Sequence, residues 1–274
     1  MSKNMSIPVY SEEMAGTLPF KQRLRSRVPL SLLAFSRLFR TSNGKTFLSA
    51  LFNQKLLTFS QRLKLVRGIY RISTHVRCEH VEEEIFSFIT AVLSLPPETK
   101  GCILEAGCFK GGSTAKFSLA AALTGRELIV FDSFEGIPEN SEHHHNLSGS
   151  QITFAKGDYS GALEEVTENV RKFGDVKVCR FVKGFFEDTM PYFSQPVAAA
   201  YLDVDLASST RTCLKFIWPL LAPGGVLYSQ DGHLPLVLEI FNDDDFWRTE
   251  LNTSKPVVHG LGSSKVIWCR KGSA

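Results

Sequence analysis

With 274 residues, 43% of them apolar, the chain can form one large domain plus an extension, with ample material for a core. Its net charge of +3 is unevenly spread: residues 1–73 carry 13 basic and 2 acidic side chains (+11), residues 74–274 carry 18 and 26 (−8). This divides the chain into a basic extension, 1–73, and a mildly acidic domain, 74–274. No apolar run reaches the roughly 18 residues needed to span a bilayer, and Met1 to Ser11 lacks the apolar stretch of a secretory signal. Six cysteines without any C-x-x-C pair fit buried free thiols in a reducing compartment, so a cytoplasmic protein is expected.

Residues 1–19 read as a polar arm. From Phe20 to Tyr70, basic residues alternate with Leu and Phe at helical spacing, broken by Pro29 and by a turn at Ser42-Asn43-Gly44. Such a basic amphipathic segment suits a helical lid or a self-association element, which makes a homo-oligomer the expectation. Attachment to an anionic membrane surface is a second reading. Nucleic-acid contact has no other support in the chain. His75 to Leu95 reads as one helix, ended by Pro96-Pro97. A strand follows at Gly101 to Glu105, then a helix over 113–123 closed by Gly125, then a strand from Glu127 to Asp132.

The connection from Ser133 to Ser160 is long enough to be functional; its run His143-His144-His145 reads as a solvated loop rather than a metal site. A helix over 161–173 leads to a strand at Lys177 to Lys183. Phe185 or Phe186 just after it could wall an adenine pocket, although simple core packing explains them equally well. Val197 to Val204 is almost wholly apolar, as expected of a central parallel strand buried on both faces. Ser208-Ser209-Thr210 would cap the helix over 208–221. A strand at Val226 to Gln230, a helix over 235–248 and two closing strands, Val257 to His259 and Lys265 to Cys269, complete the chain.

The alternation of strand and helix predicts an α/β, doubly wound, mostly parallel sheet. Within it, LEAGCFKGGST (104–114) makes a glycine-bearing turn into a helix, the station where such sheets hold nucleotide-like ligands. Its spacing is E-x-G-x-x-x-G, not the G-x-G-x-x-G of dinucleotide sites. Glu105, Asp132, Asp203 and Asp231 all fall at carboxyl ends of strands, and Asp132 lies 25 residues after Gly107, where a ribose-binding acid is expected. Asp203 and Asp231 suit a hard divalent cation, or Asp203 a general base. His233 and His259 read as hydrogen-bonded neighbours of the site rim.

Seven ordered segments, LEAGCFKGGST, FDSFEGIPE, GDYSG, VKGFFEDTMP, LDVDLASST, LLAPGGVLYSQDG and HGLGSSKVIWCRK, span about residues 70–271 and resemble the macrocin-type (TylF-like) O-methyltransferases. The resemblance implies a seven-stranded, Rossmann-like class I methyltransferase using S-adenosyl-L-methionine (SAM), commonly with Mg²⁺, on hydroxyls of sugar or polyketide-type natural products. It implies cofactor contacts at Glu105, Gly107, Asp132, Ser133, Ser160 and Asp188, and a strip near Thr74-His75 folding over the cofactor. It makes Asp203 the general base and, with Gln230 and Asp231, a metal ligand. Two departures stand out. Gln230 occupies a place where the family usually has an acid, which argues for weaker metal binding. Ala207 replaces a usual Tyr and would open space near the acceptor. These departures motivate the alternative of a non-catalytic binding or assembly module.

Overall fold

The computed structural model describes residues 38–54, 57–146 and 148–272. The polar arm expected over 1–19 and the helical spacing expected over 20–37 lie outside these residues. The first full helix, α1 (Ser42–Asn53), begins where the sequence predicts a turn. Thr41 stops the chain in extended geometry, and its Oγ1 accepts from Gly44 N at 3.1 Å, so the turn signal is a helix start. Helix α2 covers Phe59–His75, opened by a capping box between Thr58 and Gln61. It crosses the 73/74 composition boundary.

The single helix expected over 75–95 is two helices. α2 ends at His75, Val76 is extended, and α3 (Glu82–Leu93) starts only after a short strip. The restart is set by Glu84, whose carboxylate accepts from Val81 N at 3.1 Å, with Glu82, Glu83 and Glu84 all favourable in the first turn.

Strand β1 (Cys102–Ala106) runs into helix α4 (Gly112–Thr124), which Gly125 closes in the left-handed region at φ 65°. Strand β2 (Leu128–Asp132) follows, then a two-residue antiparallel pair, β3 (His144–His145) and β4 (Gln151–Ile152), inside the long connection. Next come α5 (Leu163–Phe173), β5 (Cys179–Lys183) and a one-turn helix, α6 (Phe186–Thr189). After them come β6 (Val197–Leu202), α7 (Ala207–Leu220), β7 (Leu221–Ser229), α8 (Pro235–Asn242), β8 (Val258–His259) and β9 (Ile267–Arg270).

The seven-stranded sheet has the order β5-β2-β1-β6-β7-β9-β8. Its first five strands are parallel, and β9 and β8 close it antiparallel. Chain direction of travel reverses between β1 and β6, so the topological switch point lies at their carboxyl ends. Strands β1, β2 and β6 are buried along their whole length, which is why they read as unbroken apolar runs.

Alternate side chains feed two cores. On one face Ile103, Val130, Ala199 and Tyr201 meet α1 to α4. Phe88 of α3 is its centre, with ring centroids 4.7 Å from Phe117, 5.0 Å from Tyr201 and 5.4 Å from Tyr228. Each such pair adds about 0.5–1.5 kcal/mol beyond area burial. On the other face Leu104, Phe131, Ala200 and Leu202 pack with α7 and α8, where Trp218 and Trp247 meet edge to face at 4.8 Å. No helix among the described residues is long and apolar enough to cross a membrane.

Candidate active site

A cleft of about 220 Å³ opens at the switch point, over the carboxyl ends of β1, β2, β6 and β7. Gly107, at φ 82°, turns the chain out of β1. A Cβ here would collide with the carbonyl oxygen of Asp203, so the first requirement for glycine is the close approach of the β1 and β6 ends. At Gly112 a Cβ would press on the Cys78 thiol, which would have to move aside.

Glu105 lies wholly inside the sheet, its carboxyl near the Ser113 and Thr114 hydroxyls but in no well-formed hydrogen bond with them. Burial pushes it up to about 8. The hydroxyls of Ser113 and Thr114 offset part of that rise, and the charges of Asp203 and Asp132 add to it. Asp132 is used differently. Its Oδ2 accepts from Cys108 N and its Oδ1 from Phe134 N, both at 2.7 Å. The carboxylate thus ties the turn after β1 to the turn after β2. Burial still holds it above the usual carboxylate range. Ser133 Oγ accepts from Glu135 N at 3.1 Å and donates to Gly136 O at 3.0 Å, which shapes the same turn.

Asp203, Asp205 and Asp231 bring three carboxylates together, with one ligand atom from each lying within 4.8 Å of the others. Asp231 Oδ2 accepts from Val204 N at 3.1 Å and Asp205 N at 3.2 Å, while its Oδ1 is buried without a partner. These bonds hold Asp205 in the left-handed region at φ 59°, a geometry that Asp tolerates better than most residues. Burial, then the charge of Asp231, raises Asp203 to about 8; the ammonium of Lys265 works against the rise. Burial raises Asp231 to about 6, opposed by the two backbone N–H groups. Asp205 moves well up for the same reason as Asp203.

Gln230 does not join this group. Tyr201 donates its hydroxyl to Gln230 Oε1, and Gln230 Nε2 donates to Glu84 Oε2 at 2.7 Å. Adjacent residues of extended chain face opposite sides, so Gln230 turns toward α3 while Asp231 turns toward the carboxylates. The third carboxylate comes from Asp205. Lys265, which sequence reasoning did not single out, lines the cleft and approaches Glu84 at 3.9 Å.

Gly107, Asp132, Ser133, Asp203, Gln230, Asp231 and His233 all line the cleft; Glu105 stands beneath it. Ser160 and Asp188 are exposed and do not line it. Their neighbours do: Tyr159, at φ 55°, and the trio Phe185, Phe186 and Glu187. The strip that covers the cleft is Cys78-Glu79-His80 rather than Thr74-His75, since α2 carries the latter two away on its last turn. Ala207 is outside the cleft, and Ser209 lines it instead. His259 stacks on Trp268 at 4.1 Å, away from the site.

The long connection is anchored, and the histidine run is not a uniformly solvated loop. His144 is fully buried, edge-on to Phe154 at 5.0 Å, with Nε2 2.8 Å from Glu142 Oε2. Glu142 also accepts from Ala207 N at 2.7 Å and Ser208 N at 2.9 Å. The cap of α7 is therefore this distant carboxylate, not the Ser208-Ser209-Thr210 hydroxyls. Burial pushes Glu142 up, but the Ser208 hydroxyl, the Ser208 and Ala207 N–H groups and His144 together hold it below its usual range.

The chain is similar to a group of known proteins. A 179-residue stretch is 31% identical to the 8-demethyl-8-(2,3-dimethoxy-alpha-L-rhamnosyl)-tetracenomycin-C 4'-O-methyltransferase of Streptomyces olivaceus, covering 61% of this chain and 65% of that protein. Over 179 residues it is also 30% identical to the mycinamicin III 3''-O-methyltransferase of Micromonospora griseorubida, covering 62% of this chain and 68% of that protein. The solved structure of the O-methyltransferase NovP aligns with a TM-score of 0.54 at 22% identity, covering 69% of this chain and 78% of that one, and shares the fold. The model of the macrocin-O-methyltransferase (TylF) family matches residues 84–260, and the chain belongs to that family.

Proposed function

We propose that the protein is a SAM-dependent O-methyltransferase acting on a hydroxyl of a small natural product, a sugar or a polyketide-type molecule. One observation carries this reading: the carboxylate trio Asp203, Asp205 and Asp231 lines one cleft at the switch point with Gly107, Asp132 and Ser133, where the buried Glu105 stands near the end of β1. Family membership and the two relatives, each named for methylating a hydroxyl of a natural product, support it.

When bound, SAM supplies a methyl group already activated on a sulfonium, so the protein needs to supply alignment and a proton acceptor. Glu105 would take the ammonium of the cofactor's amino-acid part. Asp132 and Ser133 would shape the ribose site, and Phe185 and Phe186 would wall the base. Asp203 is the proposed general base, facing the acceptor hydroxyl. Asp203, Asp205 and Asp231 would hold a divalent cation such as Mg²⁺, which lowers the pKa of a bound hydroxyl. The donor set fits such an ion: three clustered carboxylates and one buried oxygen without a partner call for positive charge. Asp205 makes good the acid that Gln230 lacks, so the motive for a non-catalytic module falls away. The basic quarter, 1–73, is proposed as a self-association element; its described helices α1 and α2 pack into the core and line no part of the cleft, which weighs against a lid. Sedimentation with anionic vesicles at low salt would favour a membrane-surface role instead.

The test is calorimetric titration with SAM and S-adenosylhomocysteine, followed by methyl transfer to a panel of glycosylated polyketides, with and without EDTA. Binding of both and turnover on part of the panel are expected. No heat with either nucleoside would sink the reading. Turnover unaffected by EDTA would remove the cation from it.

A further inference from the structure

Lys116 of α4 is fully buried, yet no carboxylate pairs with it among the described residues. Its ammonium stands 2.9 Å from His80 Nε2 and 3.8 Å from Cys78 Sγ. Burial pushes the Cys78 thiol up, so that partner is neutral. The charges of Glu82 and Glu84 act on Lys116 only from beyond ion-pair distance, and a buried cation without a paired anion is costly.

The geometry also fixes the proton on His80. Burial lowers Lys116, opposed by Cys78 and by the charges of Glu82 and Glu84; as an ammonium it only donates, so Nε2 then accepts and the neutral imidazole carries its proton on Nδ1. Burial, then the charges of Lys116 and Lys265, hold His80 well below its usual range and keep it in this state. Nδ1 has no hydrogen-bond partner among the described residues, and His80 lines the cleft. Beside it, Gly112 and Ser113 open α4 with no side-chain cap on their N–H groups. Near the same turn lies the buried carboxyl of Glu105, held by no well-formed hydrogen bond and facing the Ser113 and Thr114 hydroxyls; its charged form calls for a cation. One stretch of cleft thus asks for a positive group at Glu105 and a negative group at His80.

We propose that His80, oriented and polarised by the positioning residue Lys116, binds the carboxylate of the cofactor's amino-acid part. This rests on the SAM reading above. Lys116 touches no ligand in this scheme. It fixes the imidazole tautomer, clamps the 78–80 strip onto α4, and places positive charge behind the donor.

The test uses the full chain and two nucleosides: S-adenosylhomocysteine, which carries the amino-acid part, and 5′-methylthioadenosine, which lacks it. His80→Ala and Lys116→Met should each weaken the first by about tenfold, the scale of one hydrogen bond to a charged group, and leave the second unchanged. Lys116→Arg should restore most of the loss. Nitrogen NMR of His80 in the wild-type protein should show Nδ1–H, and Lys116→Met should lose that preference. Equal weakening of both nucleosides, or Nε2–H in the wild type, would overturn the proposal. If Lys116→Met does not fold, the His80→Ala titrations and the wild-type spectrum decide alone. Wild-type protein that binds methylthioadenosine as tightly as the homocysteine form overturns this proposal and spares the nucleoside site. Binding of neither overturns the SAM reading and this one with it.

Discussion

Acids at the same station of the sheet are used in two ways. Asp132, at the end of β2, has both carboxylate oxygens engaged by backbone N–H groups and serves as a cross-link between turns. At the ends of β6 and β7, three carboxylates stand together, yet both backbone donors go to Asp231 Oδ2, and its buried Oδ1 is left without a partner. Position at a strand end therefore does not identify a functional acid. What separates the two regions is how many acceptor sites the protein itself fills: a satisfied carboxylate builds the site, and an unsatisfied one leaves capacity for a ligand.

The sharpest way to break this comparison is Asp203→Asn. Turnover should fall by about 10²–10⁴-fold, the range for loss of a general base, with cofactor affinity retained; unchanged turnover would return Asp203 to a structural role. Asp231→Asn should come next, removing one of three charges, so that calorimetry with Mn²⁺ as probe shows weakened binding. Asp132→Asn should leave that cation affinity intact, and equal losses from the two variants would erase the distinction.

Stability against pH supplies a third test. Glu105, Asp203 and Asp231 are all raised in the folded state, to about 8, 8 and 6, so the folded protein binds more protons than the unfolded chain. Their contribution is greatest at low pH and is lost as pH rises toward about 8. In EDTA the melting temperature should thus fall between pH 5 and 8. Added Mg²⁺ should restore it at pH 8 and do little at pH 5. A melting temperature that rises over this window without metal would contradict the assignment.

Smaller effects are expected from the polar groups that the protein fills itself. Gln230→Leu should cost about 1–3 kcal/mol, measured by urea unfolding, by stranding Tyr201 and Glu84, without changing Mn²⁺ affinity. Glu142→Gln should cost about 1 kcal/mol, the scale of a helix cap, with a matching small drop in melting temperature.

Much of the framework was legible because buried parallel strands leave a plain trace: apolar runs at 102–106, 128–132 and 197–202, with acids at or just beyond their ends. The break at 76–81 was not legible. The apolar spacing of α3 continues backward past it, and the capping signal sits on Glu84, inside the helix that it starts. The pairing of Gln230 with Asp231 as ligands treated neighbours in sequence as neighbours in space, whereas extended chain sends them to opposite faces. His144 and Glu142 could not be read at all, since their partners, Phe154 and the N-terminus of α7, lie 10 and 65 residues away. Lys116 carries no signal in the sequence beyond its place in a helix; its contacts with Cys78 and His80 come from a strip 36 to 38 residues earlier.

The Glu142 latch has a consequence for how this fold tolerates change. One carboxylate joins the long connection to the backbone just after Asp203 and Asp205, and Asn140 Nδ2 ties the far arm through Phe154 O at 3.0 Å. The exposed segment around Ser148 to Ser150 lies outside both ties. Residues added or lost there leave both ties in place, so the length of this hairpin tip can vary while the backbone beside Asp203 and Asp205 stays anchored.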